Sequence, residues 1–265
     1  MKKLLVRMSG NPVMQRLLGR NVVLSQYLMG IGSGDFVDSS GEVVVIDRLR
    51  QIHAATERSL CIFDVGSNEG QFLTLIMGGL QSASFNVHAF EPSRRAFDRL
   101  SDRARSYSNV RLNNFGLGKE RGEFRLFYDK AGSGLASLSQ RRLGHLGIEF
   151  ESWETVRIET LDDYCDEQHI QHIDLLKLDV EGHELDVLLG SQKMFREQRI
   201  EMITFEFGGT HIDSRTYFQD FWYFFAKNGM EHIFRITPSG FLVPIRQYRE
   251  EYEQFRTTNF LVLQK

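Results

Sequence analysis

The sequence predicts an α/β fold: a mostly parallel, seven-stranded sheet with an antiparallel last strand, helices on both faces and an inserted hairpin. Three observations predict it. Strand-like apolar runs alternate with helical segments along most of the 265 residues. The first run, Leu60-Cys61-Ile62-Phe63, passes straight into the glycine-rich turn Asp64-Val65-Gly66-Ser67-Asn68-Glu69-Gly70-Gln71. The second, Phe85-Asn86-Val87-His88-Ala89-Phe90, ends in Glu91-Pro92-Ser93.

Residues 1–30 carry Leu4, Leu5, Met8, Val13, Leu17 and Leu18 among Lys and Arg, which predicts an amphipathic helix. Packing on the domain, contact with a second copy (a homo-oligomer) or contact with a membrane surface would each cover such a stripe. Gly30-Ile31-Gly32-Ser33-Gly34-Asp35 breaks the helix and is expected to act as a hinge over the ligand site. The expected division is an N-terminal extension over 1–44 and a ligand-binding domain over 45–265.

Strands are expected near 60–65, 85–90, 109–114, 173–180, 200–208, 231–236 and 258–264. Helices are expected near 45–58, 69–80, 93–106, 184–198 and 214–228. The stretch 237–257, with Pro238-Ser239-Gly240, suits a hairpin-like return into an antiparallel final strand. Two runs with period two, 123–128 and 155–159, predict the inserted hairpin. Between them, the small residues of 131–138 suit either a substrate loop or a plain surface loop. Trp153 would serve either as a wall facing the substrate or as a packing residue.

Composition narrows the function classes. With 42% hydrophobic residues, 21 of them Phe, there is material for a large core. A net charge of −3 argues against an electrostatic nucleic-acid binder. Cys61 and Cys165 are far apart and lack metal-ligand spacing, so a reducing cytoplasm is the simpler expectation. No run approaches the roughly 20 apolar residues of a membrane span. The first residues have a basic end without a signal-peptide core.

The glycine turn defines the ligand. It lacks the G-x-G-x-x-G pattern of a dinucleotide site and the Gly-Lys-Ser/Thr of a phosphate loop. What stands is D-x-G-x-N-x-G. An acid at that place suits a ligand with an ammonium group, and S-adenosylmethionine carries an α-ammonium, an α-carboxylate and a sulfonium. Glu91 follows Gly70 by 21 positions, the spacing at which a second-strand acid binds ribose hydroxyls.

The chain resembles the FkbM family of S-adenosylmethionine-dependent methyltransferases. The resemblance is carried by Phe63–Gly70, Phe90-Glu91-Pro92, Asn113-Asn114-Phe115-Gly116-Leu117-Gly118, Thr160-Leu161-Asp162-Asp163-Tyr164 and, most specifically, Ile173–Glu184. It runs from about residue 60 to the C-terminus. It implies a Rossmann-like class I methyltransferase sheet and methyl transfer to a hydroxyl oxygen of a sugar, glycan or secondary metabolite. The expected cofactor contacts are Asp64, Gly66, Ser67, Asn68, Gly70, Glu91, Pro92, Asn114, Phe115 and Asp179. The adenine roles of Asn114 and Phe115 rest on the resemblance.

Chemistry is expected at the end of the fourth strand. Asp179 and Glu181 are two apart and project to one side of an extended chain. His183 and Glu184 follow at a helix mouth, and Glu206 and His211 belong to the next strand end. The methyl group of the cofactor is already activated, so the protein must align an acceptor hydroxyl and help deprotonate it. Base candidates are His183, Asp179, Glu181 and His211, in that order. A divalent metal on Asp179, Glu181 and Glu206 would be a second way to lower the hydroxyl pKa. Alignment without a strong base is a third. The rival functions are an NAD-linked oxidoreductase, against which the glycine spacing counts, and a non-catalytic cofactor-binding module.

Overall fold

The first half of the chain alternates as expected. The computed structural model describes residues 2–34 and 40–264. It begins with α1 (Lys2–Ser9), α2 (Pro12–Leu28) and α3 (Val43–Thr56). Then come β1 (Leu60–Val65), α4 (Gln71–Gly79), β2 (Phe85–Phe90), α5 (Arg94–Ala104) and β3 (Val110–Asn113). An insertion supplies β4 (Gly116–Leu117), β5 (Gly122–Tyr128) and β6 (Ser152–Glu159). The second half runs α6 (Leu161–Glu167), β7 (Leu175–Leu178), α7 (Glu184–Leu189), α8 (Gln192–Arg196), β8 (Met202–Phe207), α9 (Thr210–Ser214) and α10 (Phe218–Lys227). It ends with β9 (His232–Ile236), β10 (Leu242–Ile245) and β11 (Thr258–Leu263).

The main sheet has the order β10-β9-β11-β8-β7-β1-β2-β3. All seven expected strands enter it. The return segment adds an eighth, β10, antiparallel to β9 at the edge. β11 slots antiparallel between β8 and β9, and β3, β2, β1, β7 and β8 are parallel. The chain leaves β1 in one direction through β2 and β3, then returns to its other side at β7. The crevice at the carboxyl ends of β1 and β7 is therefore the topological switch point, where such sheets hold ligands. The expected inserted hairpin forms as β5–β6, with β4 joining β6 in parallel.

Strand alternation sorts side chains onto two faces. Phe63, Val65, Leu176, Leu178, Ile203, Phe205 and Phe207 face one core, covered by α6, α7, α8 and α10. Leu60, Ile62, Leu175, Met202 and Leu261 face the other, covered by α3, α4 and α5. On this second face the pattern changes at the carboxyl ends. The next inward positions are Asp64, Lys177, Thr204, Glu206 and Asn259, and Asp64 and Lys177 are register partners. The apolar row thus becomes polar where the cavity opens.

Asp64 has no exposed surface. The Lys177 Nζ lies 3.5 Å from its Oδ1 and 3.1 Å from Asp179 Oδ2. The longer approach is an ionic contact, so both Asp64 oxygens lack a hydrogen-bond partner. Burial pushes the Asp64 carboxyl above its ordinary pKa, and Lys177 opposes that rise. Burial alone would lower Lys177, but Asp179, Asp64 and Glu42 outweigh it and hold the ammonium charged.

Three expectations are corrected. The helix over 184–198 is two helices: Gly190 caps the end of the first, and a Cβ there would stand 2.1 Å from the Gly118 carbonyl. The short α6 was not foreseen, and it starts where the Thr160 side chain accepts the Asp163 N–H. The N-terminal stripe does become helical: Asn11 caps α2 and Pro12 opens it. But α2 buries no residue and meets the domain through Gln26 near its end, so its apolar stripe does not pack there; nothing is described of the Leu4 and Leu5 side chains. The expected hinge is clamped. Gly32 and Gly34 N–H both donate to the Thr257 carbonyl, at 2.9 and 3.2 Å, and Gly30 abuts the Ile236 carbonyl. Asp35, its last residue, lies outside the described residues.

Two substitutions probe this frame. Phe205 is buried between the stacked rings of Phe221 and Phe260. Phe205→Ala is expected to cost about 3–5 kcal/mol in chemical denaturation. Lys177→Met, which strands Asp64, is expected to cost about 3–5 kcal/mol. Asp64→Asn in that background should recover a large part of it. Equal stability of the single and double variants would show that the ammonium does not compensate Asp64.

Candidate functional site

A cavity of about 780 Å³ opens at the switch point. Its walls include Gly66, Ser67 and Asn68 from the turn after β1, Lys177 and Asp179 from β7 and its end, and Glu206 from β8. A smaller cavity of about 70 Å³ adjoins it, lined by Glu91, Pro92, Gly116, Leu117, Ile158 and His183. Gly66, Asn68, Gly134, Asp179 and Glu181 border both.

The turn is built for close approach. Gly66 has φ +81°, and a Cβ there would lie 1.8 Å from the Asp179 carbonyl. No other residue fits. Asn68 also takes a left-handed conformation, with φ +47°. Its N–H donates to Glu91 Oε2 at 2.8 Å, which ties the turn to the end of β2. The Ser93 N–H donates to Glu91 Oε1 at 2.8 Å. Burial still pushes the Glu91 carboxyl up to about 7 against these two donors. The Asn68 Oδ1 is buried with no hydrogen-bond partner. Ser67 lines the larger cavity while its hydroxyl donates to the Asp64 carbonyl. Gly70 caps α4 and lines neither cavity.

Beyond β7 the chain folds over the crevice. Glu181 adopts φ +54° and Gly182 φ +99°. Glu184 fixes this turn from below: its carboxylate accepts the N–H groups of Val180 and Gly182, at 2.9 and 3.1 Å. Desolvation would raise Glu184, yet His211 and the backbone N–H groups of Glu184 and Val180 hold its carboxyl below the ordinary value. The Glu181 carboxylate meets Arg141 at 3.0 Å. Burial, then the neighbouring Asp179, push Glu181 above the usual carboxylate range, against the pull of Arg141. Burial raises Glu206 still further, and it has no hydrogen-bond partner among the described residues. His183 is held on both sides, with Nδ1 2.8 Å from Asp186 Oδ2 and Nε2 3.0 Å from Ser139 Oγ.

The structure brings together Gly66, Ser67, Asn68, Glu91, Pro92, Asp179, Glu181, His183 and Glu206. Five expected residues stay out, Gly70 among them. Asp64 lies beneath the floor, facing Lys177. Asn114 spends its amide on the carbonyls of Glu91 and Pro92. Phe115 packs on Phe90 and Tyr164 with Arg157 over its ring, and the next two residues, Gly116 and Leu117, line the cavity instead. His211 is wholly buried against the Phe207 and Phe221 rings. Its Nδ1 accepts the Gly208 N–H at 3.2 Å and its Nε2 stands 2.9 Å from Glu184 Oε2, so both groups are occupied. Trp153 also lines neither cavity and carries Arg125 over its ring. The 131–138 segment does reach the site: Gly134 and Leu135 line it, and the Ser137 hydroxyl donates to the Glu181 carbonyl at 2.8 Å.

Three residues entered unforeseen. Lys177 could have been flagged, as a lysine inside the apolar strand Leu175–Leu178 in phase with Asp179. Arg141 and Glu42 come from irregular segments without a periodic signal. Glu42 follows the Gly41 turn, accepts the Ser40 hydroxyl at 2.8 Å and is raised by burial. Among the described residues no group of three His, Cys, Asp or Glu side chains is arranged to hold a metal ion. Asp179, Glu181 and Glu206 share the cavity, but the first two are turned to Lys177 and Arg141.

The cavity fits S-adenosylmethionine on its own evidence: the Gly66 cradle, the unpartnered Asn68 carbonyl, Glu91 at the end of β2 and four lining carboxylates for a cationic ligand. A pyrophosphate would meet those same four carboxylates, which disfavours a dinucleotide. Comparison with known proteins agrees. Residues 64–231 match the family described as the Methyltransferase FkbM domain. The 2-O-methyltransferase NoeI of Sinorhizobium fredii is 27% identical over 57% of this chain and 65% of its own. The hexuronic acid methyltransferase AglP of Haloferax volcanii is 28% identical over 54% of this chain and 55% of its own. The chain therefore spans less than two thirds of either relative's length. A solved methyltransferase FkbM from Methylobacillus flagellatus KT superposes with a TM-score of 0.48 at 17% identity, over 77% of this chain and 43% of that one. The matched family covers more than half of the sequence, and the chain belongs to the FkbM methyltransferase family.

Proposed function

We propose that this chain transfers a methyl group from S-adenosylmethionine to a hydroxyl oxygen of a sugar, glycan or related metabolite. The observation that carries the reading is the pair of joined cavities at the switch point, bordered in common by Gly66, Asn68, Asp179 and Glu181. The names of NoeI and AglP, both methyltransferases and one acting on a hexuronic acid, support a sugar acceptor. When bound, the cofactor supplies an electrophilic methyl on a sulfonium. Glu91 would hold the ribose hydroxyls. Gly116, Leu117 and Ile158 offer a narrow apolar slot for the base, and Gly66 to Asn68 admit the backbone of the ligand. Asp179 and Glu206 offer charge to the ammonium.

The chain's own part in the reaction is alignment and proton removal. Asp179 and Glu181 stand at the junction of the two cavities, where acceptor and cofactor would meet. Burial makes Glu181 the stronger base of the two when ionised, and Arg141 fixes its direction. We therefore place Glu181 first as general base. His183 borders only the smaller cavity, held between Asp186 and Ser139, and is the second reading. No step requires a metal. The division of the chain at residue 44 belongs to this proposal, with Glu42 crossing it into the cavity. So does a reducing, cytoplasmic setting, supported by two free cysteines whose thiols burial pushes up to about 12.

Transfer of labelled methyl from S-adenosylmethionine to purified sugars and glycans tests the function. An alkali-stable label identifies an ether and supports a hydroxyl acceptor; an alkali-labile label identifies a carboxyl ester and overturns it. Glu181→Gln is expected to lower kcat by about 10²–10⁴-fold with cofactor affinity unchanged. A larger loss in His183→Ala would move the base to the imidazole.

Glu91 also makes cofactor affinity depend on pH. Its carboxyl is neutral below about 7 and ionised above it, and only the ionised form accepts two ribose hydroxyls. Affinity for S-adenosylhomocysteine by calorimetry should therefore fall by up to about tenfold per pH unit below that point and level off above it. Glu91→Gln should bind weakly and without that slope.

A further inference from the structure

We infer that α1 and α2 form an interfacial arm that lies on an anionic lipid surface. This does not rest on the proposed methyl transfer. Residues 1–34 contain five basic and no acidic side chains, whereas the remainder has 27 basic against 35 acidic. Lys3, Arg7, Arg16 and Arg20 have no ion-pair partner among the described residues. The net positive charge is thus confined to the arm, and these four groups meet no counter-charge among the described residues.

The same arm carries unpartnered apolar surface. α2 is 17 residues long, about 25 Å, and none of it is buried. Val13, Leu17, Leu24 and Leu28 fall within a narrow stripe of the helix, and all are more than half exposed. Arg16 and Arg20 lie along the border of that stripe, where an aliphatic stem can lie in the headgroup region with its charge in water. Leu18, Val22 and Val23 are exposed on the other faces of α2, so the helix joins broad apolar surface to basic side chains with no acid, which suits an anionic interface. No described helix is long and apolar enough to cross a membrane, so the arm would lie on the surface.

A second copy is the competing occupant, and the sequence disfavours it. In a paired helical seam the layer between Leu17 and Leu24 falls at residue 20 or 21, which are Arg and Asn. Two arginines facing each other in a dry seam would lack counter-charge, and the arm has no acid to supply it. An anionic surface supplies that charge and accepts the stripe together.

The attachment of the arm gives the docking a consequence for the site. The Met29 carbonyl accepts from Arg235 Nε at 2.9 Å, and Gln26 Nε2 donates to Gln254 at 2.6 Å. Gly34 and Thr257, joined by a backbone hydrogen bond, line the larger cavity. The base of the arm is therefore fixed to the cavity wall, and a docked arm brings that wall to the lipid surface.

Flotation of the full chain with vesicles tests the inference. Vesicles of phosphatidylcholine mixed with phosphatidylglycerol should carry the protein, and pure phosphatidylcholine should not. Salt near about 0.5 M should weaken the association. Arg16→Gln with Arg20→Gln should lower partitioning by about 30-fold. Leu17→Asp with Leu24→Asp should abolish it, with unchanged thermal unfolding of the domain. Failure of the unaltered chain to float with anionic vesicles would overturn the inference. So would a sedimentation-equilibrium dimer that Leu17→Asp with Leu24→Asp splits into monomers.

Discussion

The charge on Lys177 is the constraint on which the site depends. Three carboxylates, from Asp64, Asp179 and Glu42, act on one buried ammonium. Each comes from a different part of the fold: the first strand, the end of β7, and the start of α3. A buried carboxylate costs several kcal/mol unless a counter-charge compensates it. The ammonium therefore ties these parts to one geometry. That geometry places the Asp179 carbonyl where it forbids a side chain on Gly66, and so keeps the turn open to a ligand. The loop after β1 is shaped from β7 as much as from its own glycines.

Much of the fold was legible because its signals are local. Period-two runs, glycine turns and strand-end acids report on the backbone within a few residues, and each expected strand of the main sheet forms. The turn Asp64–Gln71 and Glu91 belong to the same local grammar. What was not legible is long-range. Arg141 and Glu42 lie in segments without periodicity and reach the cavity only because the insertion and the N-terminal strap fold over it. Asn114 and Phe115 were placed two residues early: β3 ends at Asn113, and the turn that follows points their side chains back into the scaffold. His211 and Glu184 read as chemical groups, but the aromatic rings of Phe207 and Phe221 seal the imidazole away from the cavity.

Several of the residues that mark the family prove to be architecture. Asp162 accepts the N–H groups of Lys193 and Met194 and caps α8, while Thr160 caps α6. The Tyr164 hydroxyl lies 2.7 Å from His88 Nδ1, within a cluster that includes Phe63, Phe90 and Phe115. Glu184 anchors the turn that aims Glu181. A specific motif in such a chain records what holds the cavity open as well as what acts within it, and the two sets interleave within the six residues from Asp179 to Glu184.

In the proposed reaction the cavity's acidity lets one site favour a cationic cofactor and still contain a base. With the cavity free of a cation, burial and then Asp179 raise both Glu181 and Glu206, and Glu181 raises Glu206 further. They are reluctant to ionise. A ligand bearing an ammonium and a sulfonium adds positive charge next to them and favours the ionised forms. On the proposed reaction these carboxyls ionise as the cation enters, and one of them is then ready to take a proton from the acceptor. On that proposal binding and proton abstraction are coupled through the same electrostatic field, and a neutral cavity of the same shape would offer neither.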